Sequence, residues 1–116
     1  MSYLKINTFT MISNTPHPPY YAVIFSSIRT PNNAGYAETN ALMNELALLQ
    51  DGFLGMENAS SEIGITISYW SNLEAIKHWK EDVDHQKAQI EGQKTWYRQY
   101  KVRIAKVERD YSFLKK

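Results

Sequence analysis

The sequence predicts an α+β domain of order β-α-β-β-α-β, a four-stranded antiparallel sheet with both helices on one face. Three observations carry this. Four stretches are rich in β-branched and aromatic residues or alternate in polarity, two others place apolar residues every three to four positions, and only a short polar turn separates the middle strands.

Taken in order, residues 1–18 stand apart. Ser13, Asn14, Thr15, Pro16, His17, Pro18 and Pro19 form a breaker-rich stretch, read as the end of an N-terminal arm before a domain over residues 19–116. Tyr20 to Thr30 is a strand. Tyr36 to Gln50 is an amphipathic helix with Leu42, Met43, Leu46 and Leu49 on its apolar stripe and Asn44 toward water; Asp51-Gly52 ends it, Gly52 suiting a left-handed terminus. Phe53 to Ala59 is a second strand, and Ser60, Ser61 and Glu62 the turn. In Ile63 to Trp70, Ile63, Ile65, Ile67 and Tyr69 alternate with Gly64, Thr66, Ser68 and Trp70, a period of two. Ser71 or Asn72 caps a second helix, with Glu74 in its first turn, a stripe of Leu73, Ile76, Trp79 and Val83, and helical sequence to about Gln93. Tyr97 to Asp110 is the last strand.

Each helix joins strands that lie parallel with one strand between them, and right-handed crossovers put both helices on the same face. That is the ferredoxin-like arrangement. The first strand has apolar residues on both sides, Tyr21, Val23 and Phe25 against Ala22, Ile24 and Ile28. A sheet covered on one side would then expose several hundred Å², around or above the largest apolar patch a monomer tolerates. Pairing of two open sheet faces into a homodimeric α/β barrel is the expected solution.

Composition narrows the function classes. The chain has 116 residues, 43% hydrophobic and 22% charged, with eight Tyr to four Phe and three Trp, a balance that favours half-wet pockets and interfaces. A net charge of +1 without a basic block leaves no electrostatic footprint for nucleic acid. There is no cysteine, hence no disulfide, thiolate nucleophile or cysteine metal site. No apolar run approaches the ~20 residues of a membrane span, and no signal-peptide pattern opens the chain, so a cytoplasmic protein is expected.

The block from Pro19 to Phe113 resembles the antibiotic biosynthesis monooxygenase (ABM) superfamily of dimeric α/β barrels. The resemblance is carried by YYAVIF in the first strand, by Leu49-Gln50-Asp51-Gly52-Phe53-Leu54-Gly55, by ISYW at Ile67 to Trp70, by SNLEAIKHW at Ser71 to Trp79, by His85, and by KVRIAKVERDYSF at Lys101 to Phe113. It implies a pocket between the sheet and the helices. For the oxygenases of this type it implies chemistry without metal or flavin, in which an electron-rich substrate reacts with O₂ itself. Heme-degrading relatives use an Asn on the first strand, a Trp ending the third and a His on the second helix. Trp70 matches the Trp and His85 is a candidate for the His, but Tyr20 to Thr30 contains no Asn. Heme is therefore the lesser reading and no cofactor the main one.

The candidate site follows. Trp70 shares its strand face with Gly64, Thr66 and Ser68, so small residues beside a large one leave either space for a stacked aromatic ligand or a corner that Trp70 fills itself. Ser68 and Trp79 belong to the same surface. Thr39 and Met43 are spaced to face the pocket or simply to pack on the sheet. His85 is a candidate proton acceptor near neutral pH. His78, Asp82 and His85 follow at i, i+4 and i+7, a spacing that could hold a divalent metal, but His78 lies off the apolar stripe and no metal site is expected. Trp96, Tyr97, Arg98 and Tyr100 mark the junction into the last strand. There Tyr97 and Arg98 can steady a substrate anion, or the cluster can anchor a dimer interface. Three functions remain in view: cofactor-independent oxygenation of an aromatic or quinol-like compound, heme binding or degradation through His85, and a non-catalytic module that sequesters a small hydrophobic molecule.

Overall fold

Strand β1 (Tyr20–Arg29) runs through the interior of a sheet of order β2-β3-β1-β4, in which β2 is Phe53–Ser60, β3 Gly64–Trp70 and β4 Tyr97–Val107. Every neighbouring pair is antiparallel. Helices α1 (Tyr36–Leu48) and α2 (Leu73–Lys87) make the two crossovers, each spanning one intervening strand. The computed structural model describes residues 11–87 and 95–116, the side chains of residues 85–87 excepted. The predicted element order and the ferredoxin-like sheet hold.

Register assigns the faces. Tyr21, Val23, Phe25 and Ser27 stand opposite Trp70, Ser68, Thr66 and Gly64 on one side and Lys106, Ile104, Val102 and Tyr100 on the other. This is the helix side, because Trp70 packs with Ala75 and Ile76 of α2, with Tyr21, Val23, Phe53 and Trp79 around them. Ala22, Ile24, Ile67, Tyr69 and Arg103 occupy the opposite face, as the period of two requires.

Local chemistry fixes the element ends. Asn72 is the cap of α2, its Oδ1 accepting from the Ala75 N–H at 2.8 Å. Gly52 adopts the left-handed conformation (φ +86°), and a Cβ there would lie 2.7 Å from Ser71 Oγ and 2.8 Å from Ala75 Cβ. The close approach is held by the Ser71 N–H, which donates to the Gly52 carbonyl at 2.8 Å. The turn after α1 is thereby pressed onto the start of α2.

Four expectations need correction. The covered stripe of α1 runs through Tyr36, Thr39, Met43, Leu46, Ala47 and Gln50, whereas Leu42 is exposed and Leu49, the residue closing the helix, is 79% exposed. Met43 and Leu46 lie on the expected stripe, but Tyr36, Thr39 and Ala47 complete it in place of Leu42 and Leu49. Asn44 is half-buried rather than turned to water. On α2, Leu73 is exposed and Ala75 takes its place in the core. Finally, β4 ends at Val107; residues 108–116 continue it without pairing. The part of the predicted second helix beyond Lys87 lies outside the described residues.

The open face is not uniformly bare. The Ser13 N–H donates to Glu57 Oε2 at 2.8 Å and Thr15 Oγ1 to the Tyr20 hydroxyl at 2.9 Å. Tyr20 in turn donates to Asp110 Oδ2 at 2.5 Å, and Tyr69 to Glu57 Oε1 at 2.8 Å. Residues 13–15 and 110 thus tie to one end of that face, where Tyr20 and Ala22 are buried. At the other end Ile28 and Ile65 stay more than a third exposed. Among the described residues no helix is long and apolar enough to cross a membrane.

Candidate functional site

Two aromatic groups sit on the helix side of the sheet. The first is built around Trp70, whose ring stacks on Trp79 at 5.9 Å and meets Phe53 edge-on at 5.3 Å. Its indole N–H donates to Ser68 Oγ at 2.9 Å, so the small residue beside it is a hydrogen-bond partner. Trp70 has no exposed surface (0%). Of the two sequence readings, the filled corner is the one seen: Trp70 and Ser68 reach a ligand only if Trp79, which is half-buried above them, moves aside.

The second group lies where β1, α1 and β4 meet. Phe25 stacks on Tyr100 at 5.4 Å and meets Tyr97 edge-on at 5.5 Å. Tyr36, in the first turn of α1, faces Tyr97 at 6.3 Å and Trp96 at 5.5 Å. Arg29 closes this corner, with Cζ 3.4 Å from the Tyr36 ring centroid. Its guanidinium is aimed by three further contacts: Nε donates to the Trp96 carbonyl at 3.3 Å, and one terminal nitrogen to the Asn32 carbonyl at 3.3 Å and to Asn33 Oδ1 at 2.7 Å. Trp96 is buried and anchors the junction, donating its indole N–H to the Ala34 carbonyl at 2.7 Å. Thr30 Oγ1 bonds the Thr95 carbonyl, and the Thr30 N–H bonds the Trp96 carbonyl at 2.8 Å.

Electrostatics single out Tyr97. Burial first, and then the adjoining Tyr36 hydroxyl with which it shares a hydrogen bond, push Tyr97 well above the ordinary tyrosine range; Arg29 pulls the other way. At neutral pH Tyr97 is therefore a phenol, able to donate a proton to an anion held beside it. Arg98, next to it in sequence, is exposed, while the charge that acts on Tyr97 is that of Arg29. Sequence spacing does not mark Arg29: it comes beside Tyr97 through the antiparallel pairing of β1 with β4 and the irregularity between Ile28 and Arg29.

The remaining candidates fall as follows. Thr39 and Met43 are half-buried on α1, on the stripe that begins with Tyr36. Tyr100, Val102 and Ile104 extend the aromatic corner along β4 on the helix side and are each about half exposed. His85 lies on α2, its side chain outside the described residues. The spacing His78, Asp82, His85 does not converge on the described atoms: His78 pairs with Glu74 at 3.5 Å, and Asp82 accepts from Gln50 Nε2 at 2.9 Å. Among the described residues no three metal-ligating side chains come together. A separate open cleft of about 410 Å³ lies where residues 15–18 cross residues 108–110, beside the Tyr20 hydroxyl and not over the helix side of the sheet.

Comparison with known proteins agrees with this architecture. The chain is 49% identical over 104 residues to the uncharacterized protein YqjZ of Bacillus subtilis, covering 88% of this chain and 91% of that one. No protein-family model matches it. Among solved structures, PA3566 of Pseudomonas aeruginosa superposes with a TM-score of 0.61 at 12% identity, over 83% of this chain and 99% of that one. NE2512 of Nitrosomonas europaea, a protein of unknown function, gives 0.57 at 15% identity, over 87% and 99%. A second Nitrosomonas europaea chain, named "Putative antibiotic biosynthesis monooxygenase", gives 0.59 at 11% identity, over 79% and 92%. At these identities the likeness is one of fold.

Proposed function

For a chain that belongs to the same family as YqjZ and carries the fold of the antibiotic biosynthesis monooxygenase superfamily, we propose cofactor-independent oxygenation of a small aromatic or quinol-like compound at the Arg29–Tyr36–Tyr97 corner, in a homodimer. The observation that carries this reading is the pairing of a half-buried phenol with an aimed guanidinium beside Phe25, Tyr36 and Tyr100. The exposed parts of Tyr100, Val102 and Ile104 offer an apolar surface on which a flat substrate can lie, and the two polar groups offer donors to its oxygen.

The chemistry needs an anion. A phenol or anthrone loses a proton to a base, the part given to His85, and the negative charge gathers on oxygen beside Tyr97 and Arg29. Preorganised donors at that point stabilise charge as it develops. The electron-rich ring then reduces O₂: a C–O bond forms to give a hydroperoxide, its O–O bond breaks, one oxygen leaves as water and the other remains as a carbonyl. Substrate and O₂ supply every electron, so the protein binds, aims and moves protons. Thr39 and Met43 line the approach from α1, Trp79 stands at the far Trp70 end of the same face, and the exposed Arg98 is given no part in holding the anion.

Oxygen consumption measured with a panel of hydroquinones and anthrones tests this. Turnover by the wild-type chain is expected, and Tyr97→Phe or Arg29→Met should lower it by roughly 10²-fold, the scale of a lost oxyanion donor. A flat electrode trace across the whole panel would leave a sequestering module in its place. A hemin titration separates the heme reading, since a Soret shift lost in His85→Ala would favour it over direct oxygenation.

A further inference from the structure

We infer that the compound taken at the aromatic corner carries a carboxylate on the ring whose hydroxyl lies beside Tyr97, and that Arg29 binds this carboxylate through its unengaged terminal nitrogen. The inference rests on the oxygenation reading and adds to it which quinol-like compounds the corner selects.

The donors of the guanidinium carry the argument. An arginine has five N–H donors in a planar fork. Three are engaged, Nε with the Trp96 carbonyl and Nη2 with the Asn32 carbonyl and Asn33 Oδ1. The two on Nη1 meet no acceptor among the described residues. All three acceptors are neutral, and so is the Tyr36 ring beneath the group. Among the described residues the ion pairs are Glu74 with His78 and Lys80 with Asp84, both on α2, so no described carboxylate balances Arg29. Arg29 is nonetheless half-buried. A guanidinium stays charged throughout the working pH range, and a charge drawn out of water without a counter-ion is costly. Its neighbours therefore aim it and leave its charge for a ligand.

The ligand's own charge follows from this. A phenolate is present for only part of the reaction, whereas an aromatic carboxylate arrives ionised at neutral pH. A phosphate monoester brings ~1.5–2 negative charges and calls for a second cation, while Arg29 is the cation that acts on Tyr97. Spacing agrees with a small ring. Arg29 lies on the Tyr36 ring, and the Tyr36 hydroxyl shares a hydrogen bond with Tyr97. Cation and phenol thus stand one ring apart, a gap that one substituted benzene spans with its carboxylate at Arg29 and its hydroxyl at Tyr97. The body of that ring then rests on Tyr100, Val102 and Ile104, which are about half exposed on the same face.

Calorimetric titration in the absence of oxygen separates binding from turnover. The probes are gentisate, a hydroquinone with a carboxylate beside one hydroxyl, and its amide, which has the same shape and no charge. Gentisate is expected to bind at least tenfold more tightly than the amide, the scale of one charged hydrogen bond. In Arg29→Met that preference should vanish, and Arg29→Lys should restore part of it. Equal affinity of the wild-type chain for acid and amide overturns the inference, and it does so whatever Arg29→Met does to folding. A preference that survives in Arg29→Met, with unchanged circular dichroism, overturns it as well, because the charge being read then lies elsewhere. Admitting oxygen tests the underlying reading by itself. Gentisate bound through Arg29 with no oxygen consumed leaves the carboxylate site standing and removes oxygenation. Plain hydroquinone consumed with the same kcat/KM as gentisate removes the carboxylate and leaves oxygenation.

Discussion

The Arg29 guanidinium sits over the Tyr36 ring, Cζ 3.4 Å from its centroid, and so joins the end of β1 to the first turn of α1. The same arginine reaches the Trp96 carbonyl just before β4, so it ties the end of β1 to α1 and to the junction that leads into β4. A lysine keeps the charge but lacks the planar fork that serves ring, carbonyl and Asn33 at once.

Arg29→Met should therefore destabilise the fold by about 1–2 kcal/mol, the sum expected of a cation–π contact and a charged hydrogen bond in a half-buried place. Arg29→Lys should recover part of that. Loss of the positive charge should also raise the Tyr97 titration further, since Arg29 is what lowers it. Urea melts and a spectrophotometric tyrosine titration read the two effects; an unchanged phenol titration in Arg29→Met would separate Arg29 from Tyr97.

The open face carries its own pH dependence. Burial, reinforced by the hydrogen bond to Glu57, pushes Tyr69 up to about 12. An unfolded tyrosine titrates near ~10, so between those values the unfolded chain gives up a proton that the folded chain keeps. The contribution is whole below the unfolded value and is lost as pH climbs toward the folded one. The melting temperature should fall over that alkaline interval, and Tyr69→Phe, which has no proton to lose, should flatten the fall. A Tyr69→Phe curve parallel to wild type would exclude Tyr69 as its source.

How much of this was legible beforehand differs by level. Strand order and faces followed from β3, where Ile65 and Ile67 alternate with Thr66 and Ser68 and a slip by one residue would invert every side chain. The α1 stripe was legible in part: Met43 and Leu46 are covered as expected, but Leu42 and Leu49 are as much at home in a helix as they are, and hydrophobicity by itself does not say that Tyr36 and Ala47 take their place. At the site, Tyr97 was readable as a Tyr at a strand start, but its cationic partner was not. Sequence adjacency favours Arg98, whereas Arg29 arrives from the far end of β1 through antiparallel pairing with β4. The half-covered open face was equally hidden, since it depends on single hydrogen bonds from Ser13 and Thr15 across long stretches of chain.

Gly52 offers a test of the contact between the two helices. Its φ of +86° already disfavours any side chain, and an added Cβ would meet Ser71 Oγ and Ala75 Cβ well inside contact distance. Ser71 Oγ can rotate away, but Ala75 Cβ is fixed to the buried face of α2. Gly52→Ala should cost about 1–3 kcal/mol, visible as a lower urea midpoint with unchanged slope. Ala75→Gly in the same chain removes the obstructing methyl, at a helix penalty of about 1 kcal/mol. The loss in the double variant should then be smaller than the two single losses added. Strict additivity would place the strain in the Gly52 backbone and not between the elements.

Trp70 and Ser68 settle whether that end of the helix side is core or slot. The indole N–H and the serine hydroxyl bond at 2.9 Å, and both residues are buried. Removing either partner strands the other: Ser68→Ala leaves a buried N–H unmatched, and Trp70→Phe leaves a buried hydroxyl unmatched as well as a small void, each worth about 1–3 kcal/mol. Removing both restores polar balance, so the double variant should be less destabilised than the sum, with a coupling of order 1 kcal/mol on the scale of contacting residues. Equilibrium denaturation of the four chains measures it. If Trp70 were instead a stacking platform opened by motion of Trp79, Trp70→Phe would cost little stability, and indole fluorescence of a Trp79→Phe chain, whose two remaining indoles are buried, would respond to added quencher. A dry core predicts the reverse on both counts.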